Sequence, residues 1–321
     1  VSKAVLVRQT GGPEVLELAE VDVPDPGPSE ILVDIVAAGV NYIDTYHRSG
    51  LYPLETPFGI GLEGVGTVSA IGSDVTDLTV GDRIAWFGSR GSYAERIVLP
   101  RAEVVPVPDG IDDETAAALL LQGVTAHYLV ASTYPVQEGD AVLVHAAAGG
   151  VGLLLVQLAK ARGARVLATV STPEKEKLAL EAGADKVVGY EDFDKHAREF
   201  TGGEGMAVVY DGVGKTTFDQ SLTSLRRRGY LVLFGASSGA VPPVDPQRLN
   251  AAGSVFLTRP KSGDYSVTPE EVQWRTSELF EAVLAGKLSV RIGGRYPLAE
   301  AARAHEDLQG RKTTGKLLLI P

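Results

Sequence analysis

The sequence predicts an α/β fold in which a doubly wound parallel sheet is inserted between two parts of a β-rich, barrel-like domain. Three observations carry this. Residues 1–122 consist of short apolar runs separated by Gly and Pro clusters, residues 123–264 alternate apolar runs with helical patterns, and residues 265–321 are too few to build a core of their own. A length of 321 residues fits two domains at about 150 residues each.

In the first part, Ala4–Val7, Ile31–Ala37, Val65–Ile71, Arg83–Trp86 and Tyr93–Leu99 read as strands, punctuated by Gly11-Gly12-Pro13 and the Pro24–Pro28 cluster. In the second, the strands are Ala141–His145, Arg165–Val170, Lys186–Gly189, Ala207–Asp211, Tyr230–Phe234 and Val255–Thr258. Helical patterns lie between most of them. Val151–Arg162 is apolar almost all round, as a helix buried against a sheet must be. A further helix is expected over Pro173–Ala182. Strands alternating with helices specify a parallel sheet covered on both faces. In the tail, Pro269–Leu284 is an amphipathic helix with Pro269 in its first turn, Ala299–Leu308 is a second helix, and Lys316–Ile320 is a strand. This tail is expected to pack back onto the first part.

Composition removes several function classes. The chain has no Cys, which excludes disulfides, thiolate nucleophiles and cysteine-based zinc sites. A net charge of −11 opposes binding to nucleic acid or anionic lipid. No apolar run reaches about 18 residues and no leader pattern opens the sequence, so a cytoplasmic protein with no membrane partner is expected.

The strongest local signal is His145-Ala-Ala-Ala-Gly-Gly-Val-Gly152, between a predicted strand and a predicted helix. Against the pattern G-x-G-x-x-G the positions are Ala147, Gly149 and Gly152, with Ala in place of the first Gly. Gly149 lets the backbone approach a pyrophosphate, and Gly152 lets helix and strand lie close. The helix N-terminus offers free N–H groups to anionic oxygen. Repeated βα units downstream turn this loop into a Rossmann dinucleotide site. At the end of the second strand, where NAD enzymes carry an acid, stand Ser171, Thr172, Glu174 and Lys175. Ser171 and Lys175 suit a 2′-phosphate, which selects NADPH; the competing reading makes Lys175 a solvated helix residue and Ser171 a cap.

The run Gly139-Asp140-x-x-Leu143-x-x-x-Ala147-Ala148-Gly149-Gly150-x-Gly152-x4-Gln157-x-x-Lys160 resembles the signature of the quinone oxidoreductase / zeta-crystallin group of the medium-chain dehydrogenase/reductase superfamily. So do Gly11–Leu16, Asn41–Tyr46, Arg48–Pro53 and Thr258-Arg259-Pro260. The resemblance spans the whole chain. It implies a GroES-like β-barrel catalytic domain (1–122 and 265–321) enclosing a Rossmann NADPH domain (123–264), in a homodimer. An edge strand at Val255–Leu257 fits such pairing.

Zinc-dependent relatives carry a Gly-His-Glu motif. Here it reads Gly61-Leu62-Glu63, and no cysteine ligand exists, so a metal-free enzyme is expected. Hydride delivery to an electron-poor acceptor then needs proximity and donors to the developing oxyanion. Asn41, at a helix cap, with Tyr46 and Tyr52 are the candidate catalytic residues, on a segment that faces the nicotinamide in the family. The alternative for both tyrosines is a core role, and Asp44 reads as a solvated helix residue. Thr125, Tyr128 and Tyr42 are expected on the nicotinamide side, Gly150 and Val151 at the pyrophosphate, and Tyr190 near the adenine. Gly212, Phe234, Gly235 and Ser238 fall at strand ends, and Arg259 and Arg311 offer guanidinium groups to phosphate or acceptor oxygen. His145 reads as structural. The implied activity is NADPH-dependent reduction of a quinone, with reduction of an activated C=C bond in an enone as the alternative. A crystallin-like or RNA-binding role is the non-enzymatic one.

Overall fold

The computed structural model describes all 321 residues, which divide into two compact units, residues 1–121 with 272–321 and residues 122–271. In the first, β1 (Ser2–Val7) and β2 (Leu16–Val21) pair antiparallel. β3 (Glu30–Val40) leads directly into α1 (Tyr42–Ser49). β4 (Phe58–Gly59) completes a small sheet of order β2-β1-β4. β5 (Glu63–Ile71), β6 (Arg83–Phe87), β7 (Arg96–Pro100) and β8 (Val104–Pro106) build an antiparallel sheet around β3. Tyr93, expected in a strand, precedes β7; its backbone bonds to Val5 and Ile60, and its side chain is fully buried.

The β-rich reading missed α2 (Asp113–Tyr128). Its Ala116–Leu121 stretch is buried almost all round, so no period of 3.6 marks it as a helix. Continued to Thr133 it is long and apolar enough to span a membrane, against the expectation that no such run exists. In its most apolar window, 67% lies buried inside the protein, which marks a core helix.

The second unit is wound as the sequence predicts. β9 (Ala141–Val144), α3 (Gly150–Ala161), β10 (Arg165–Thr169), α4 (Pro173–Glu181) and β11 (Lys186–Val188) form its first half. α5 (Phe193–Phe200), β12 (Met206–Asp211), α6 (Phe218–Thr223), β13 (Leu225–Leu233), α7 (Gln247–Ala251) and β14 (Phe256–Thr258) form its second. All six strands are parallel, in the order β11-β10-β9-β12-β13-β14. The winding reverses between β9 and β12, where open sheets bind ligands beyond the strand C-termini.

α8 (Pro269–Leu284), β15 (Ile292–Pro297), α9 (Ala301–Gln309) and β16 (Lys316–Ile320) bring the chain back to the first unit, which it re-enters at Val272. β16 runs antiparallel to β3 and parallel to β15, the one parallel pair of that sheet. Leu317 and Leu319 pack with Val5, Val7, Val40 and Phe58. Burying each such side chain contributes about 1.5–3 kcal/mol.

Candidate active site

In the second unit, His145 follows the end of β9 and the chain turns through Ala146, held at φ +50°. The Tyr190 hydroxyl accepts the Ala146 N–H at 3.1 Å, and the Ala147 N–H bonds to the Thr169 carbonyl. Gly149 caps α3 in an extended conformation. A Cβ on Gly152 would strike the Ala146 carbonyl and lie 2.7 Å from the Ala147 Cα. A Cβ on Gly150 would lie 2.5 Å from the Gln122 amide nitrogen. Gly149, Gly150, Val151 and Gly152 therefore form a cradle in which backbone leaves no room for a side chain at Gly152 and Gln122 occupies the space beside Gly150. Above it stand the unpaired N–H groups of a helix N-terminus, which suits a pyrophosphate.

The strand-end residues also come together. A Cβ on Gly235 would lie 2.5 Å from the Gly212 carbonyl, and one on Gly212 would lie 2.9 Å from the Phe234 ring. The Ser238 hydroxyl donates to the Val213 carbonyl at 2.8 Å, and Arg259 donates to the Leu233 carbonyl at 3.0 Å. Ser171 is exposed just past β10, but the cap of α4 is Thr172, whose hydroxyl accepts the Lys175 N–H. Lys175 is half-buried beside the exposed Glu174. On α2, Thr125 lies one turn before Tyr128, whose ring stacks on Tyr265 at 4.5 Å.

In the first unit, Tyr46 packs between Tyr42 and Tyr52, with ring centroids 6.2 and 5.3 Å away. Tyr46 is half-buried and Tyr52 is 38% exposed, so neither is a core aromatic. The Tyr42 hydroxyl donates to the Leu308 carbonyl; burial raises its pKa and the nearby Arg311 charge opposes this. Asn41 is buried at the start of α1, and both ends of its amide are engaged. Its Nδ2 donates to Glu63 at 2.9 Å, and its Oδ1 accepts from the Lys316 ammonium at 2.8 Å.

Asp44 is the clear correction. Read as solvated, it has no exposed surface, because it turns inward to accept the Asn41 backbone N–H and the Tyr93 hydroxyl, each at 2.8 Å. Burial raises its pKa to about 7, against the lowering effect of those bonds. Tyr93 also meets His305, whose other ring nitrogen faces the Arg48 guanidinium at 3.0 Å. Burial, then Arg48, push His305 down to about 3, so it is neutral. Arg48 only donates, so His305 Nδ1 accepts and Nε2 carries the proton. The hydrogen bonds run Arg48 to His305 to Tyr93 to Asp44.

Lys316 and Glu63 form a fully buried ion pair, and the Leu121 N–H caps the other Glu63 oxygen at 2.8 Å. Gly39 makes room for it, since a Cβ there would lie 2.6 Å from the Lys316 side chain and 2.8 Å from the Ala117 carbonyl. Lys316, Tyr93 and His305 were missed as site residues. The available signal was charge inside apolar strands, at Glu63 and at Lys316 before three leucines. No group of three or more His, Cys, Asp or Glu side chains is placed to hold a metal ion, and Glu63 is matched by an ammonium instead.

A glycine cradle at the switch point of a doubly wound sheet, carried in one chain with a unit built on antiparallel strands, defines a dinucleotide-dependent dehydrogenase/reductase of the medium-chain class. Two family models match: the alcohol dehydrogenase GroES-like domain over residues 27–109 and the zinc-binding dehydrogenase domain over 150–271. The chain is 46% identical to a quinone oxidoreductase of Pseudomonas aeruginosa, covering 100% of both chains. It is 40% identical to a 2-haloacrylate reductase of a Burkholderia species, over 99% of this chain and 98% of that one. A mycobacterial structure solved in complex with NADPH is 54% identical and superposes with a TM-score of 0.97, covering 99% of this chain and 100% of that one. The chain belongs to the quinone oxidoreductase / zeta-crystallin family of the medium-chain dehydrogenases/reductases. The zinc of the second family model's name has no donor set here to receive it.

Proposed function

We propose that this protein is an NADPH-dependent quinone oxidoreductase that works without a metal ion. The observation that carries this is the closed glycine cradle at the start of α3, in a chain 46% identical end to end to a quinone oxidoreductase. NADPH, when bound, supplies the hydride. Gly149, Gly150, Val151 and Gly152 hold its pyrophosphate, Ser171 and Lys175 take its 2′-phosphate, and Tyr190, Gly212, Phe234, Gly235, Ser238 and Arg259 line the remainder of its path. In the first unit, Tyr46 and Tyr52 offer hydroxyl donors to an acceptor oxygen as it gains charge. Asn41, satisfied on both sides, sets the position of the helix that carries Tyr46.

Following NADPH consumption against a panel of quinones, enals and 2-haloacrylates tests this. Turnover of quinones above the C=C substrates supports the reading; consumption with none of them overturns it. Exclusive reduction of C=C bonds favours the second reading, which the 2-haloacrylate reductase relative supports.

The homodimer is part of the same proposal. β14 is an edge strand carrying Phe256, 49% exposed and stacked on Tyr230. A pocket of ≈ 750 Å³ lined by Glu204, Arg226, Arg227, Arg228 and these two rings lies at that edge. A second copy pairing there would cover the unpaired backbone and the ring. Light scattering of Phe256→Glu against the parent checks it: a shift from dimer to monomer mass is expected, and a monomeric parent removes the claim.

A further inference from the structure

Beneath the phosphate loop lies a chain of buried side chains that the proposed function does not use. His145, Thr169, Asp211 and Ser221 are at most 1% exposed, and they stand at the ends of β9, β10 and β12 and on α6, astride the reversal of winding. His145 Nδ1 lies 2.8 Å from the Thr169 hydroxyl, and Nε2 lies 2.8 Å from the Ser221 hydroxyl. Ser221 is also 2.8 Å from Asp211 Oδ2, which Thr217 joins at 2.7 Å, while the N–H groups of Val213 and Gly214 fill Oδ1.

The acceptor end fixes the direction of every bond. Asp211 takes four donors, so Ser221 must give it its proton and can only accept from His145. Nε2 therefore carries the hydrogen, and Nδ1 accepts from Thr169. Burial, opposed by the Asp211 charge, lowers the pKa of His145, in keeping with a neutral ring.

That ring bears on the loop. Tyr190 lies over it at 6.1 Å with planes 22° apart, and the Tyr190 hydroxyl is the acceptor for the Ala146 N–H. Ala146 is a non-glycine residue in the left-handed region, a conformation that costs about 1–2 kcal/mol and needs support. Its carbonyl in turn accepts the Gly149 N–H at 2.9 Å, inside the cradle.

We propose that His145, locked as its Nε2–H tautomer, is a positioning residue for the phosphate loop: it braces Tyr190, which holds the Ala146 peptide and so shapes the cradle for the dinucleotide. This rests on the NADPH reading above. Calorimetric titration with NADPH tests it on wild type and on His145→Phe, Tyr190→Phe, Thr169→Val and Thr169→Ser. Loss of one supporting bond should weaken binding about tenfold in the first three. Thr169→Ser, which keeps the hydroxyl, should bind as wild type does. In steady state the loss should fall on the KM for NADPH, and nitrogen NMR of the wild type should show a neutral His145 ring protonated at Nε2. Wild-type affinity in both His145→Phe and Tyr190→Phe, or an Nδ1–H ring, would overturn the role. Thr169→Val against Thr169→Ser decides the matter if His145→Phe does not fold, since only the first loses the hydroxyl that holds His145 Nδ1. A wild type that binds no NADPH removes the function itself, which is a distinguishable result.

Discussion

Each unit hides a hydrogen-bond chain built to the same plan, a neutral histidine passing a bond through a hydroxyl to an aspartate, and the two differ at the aspartate. In the second unit Asp211 receives four donors, two of them backbone N–H groups of its own turn. In the first, Asp44 receives two, both on one oxygen, and its Oδ1 is buried with no partner. A carboxylate seated in a strand-end turn collects two N–H groups and two hydroxyls nearby, whereas Asp44, at the third position of its helix, has one backbone N–H of the capping box and otherwise a side chain distant in sequence. The first unit also buries a charge pair nearby, Lys316 with Glu63, whose two charges act on Asp44 in opposite directions.

The largest test of this difference removes the ammonium. Lys316→Met leaves Glu63 buried and unmatched, which is expected to cost about 3–5 kcal/mol in denaturant unfolding. Adding Glu63→Gln should recover most of that loss, since two neutral groups carry no desolvated charge; no recovery would mean that Lys316 acts through packing alone.

Lys175 is the contrasting lysine, half-buried at the start of α4 and aimed by the proposal at the 2′-phosphate. Lys175→Ala should lose about 1.5–3 kcal/mol of NADPH binding, roughly ten- to a hundredfold, with NADH barely changed. Comparing kcat/KM for the two cofactors checks this, and equal losses would show that Lys175 does not read the phosphate.

Asp44 gives the most specific effect, confined to one pH window. Its pKa of about 7 exceeds its ordinary 3.8, so between those values the folded chain keeps a proton that the unfolded chain releases. Its contribution to stability is complete below about pH 4 and fades as pH rises through 7. Asp44→Asn cannot titrate and should flatten the stability–pH curve over that window, measured by denaturant melts at a series of pH values. An unchanged slope would place the titration elsewhere.

The same contrast explains what was legible. The strands of the second unit are buried on both faces and read as continuous apolar runs, and the cradle is local, complete within His145–Gly152. The site of the first unit is assembled across the chain. Asn41 and Lys316 are 275 residues apart, Tyr93 and His305 are 212 apart, and no spacing rule joins them. Asp44 was misread although Asn41-x-x-Asp44 has the spacing of a capping box, because that local pattern does not show that Tyr93, 49 residues away, closes over the start of the helix.

The place of β16 in the first sheet bears on the order in which the protein is made. Between β15 and β3, it supplies both a row of backbone partners and the Lys316 ammonium. On the ribosome, residues 122–271 are contiguous and can close their sheet as soon as they emerge. The first 121 residues, synthesised earlier, must wait with the Ala38–Val40 end of β3 unpaired on one side and Glu63 without its cation. The segment translated first is thus completed last, and through that interval it is the part of the nascent chain that most needs protection from misplaced strand pairing.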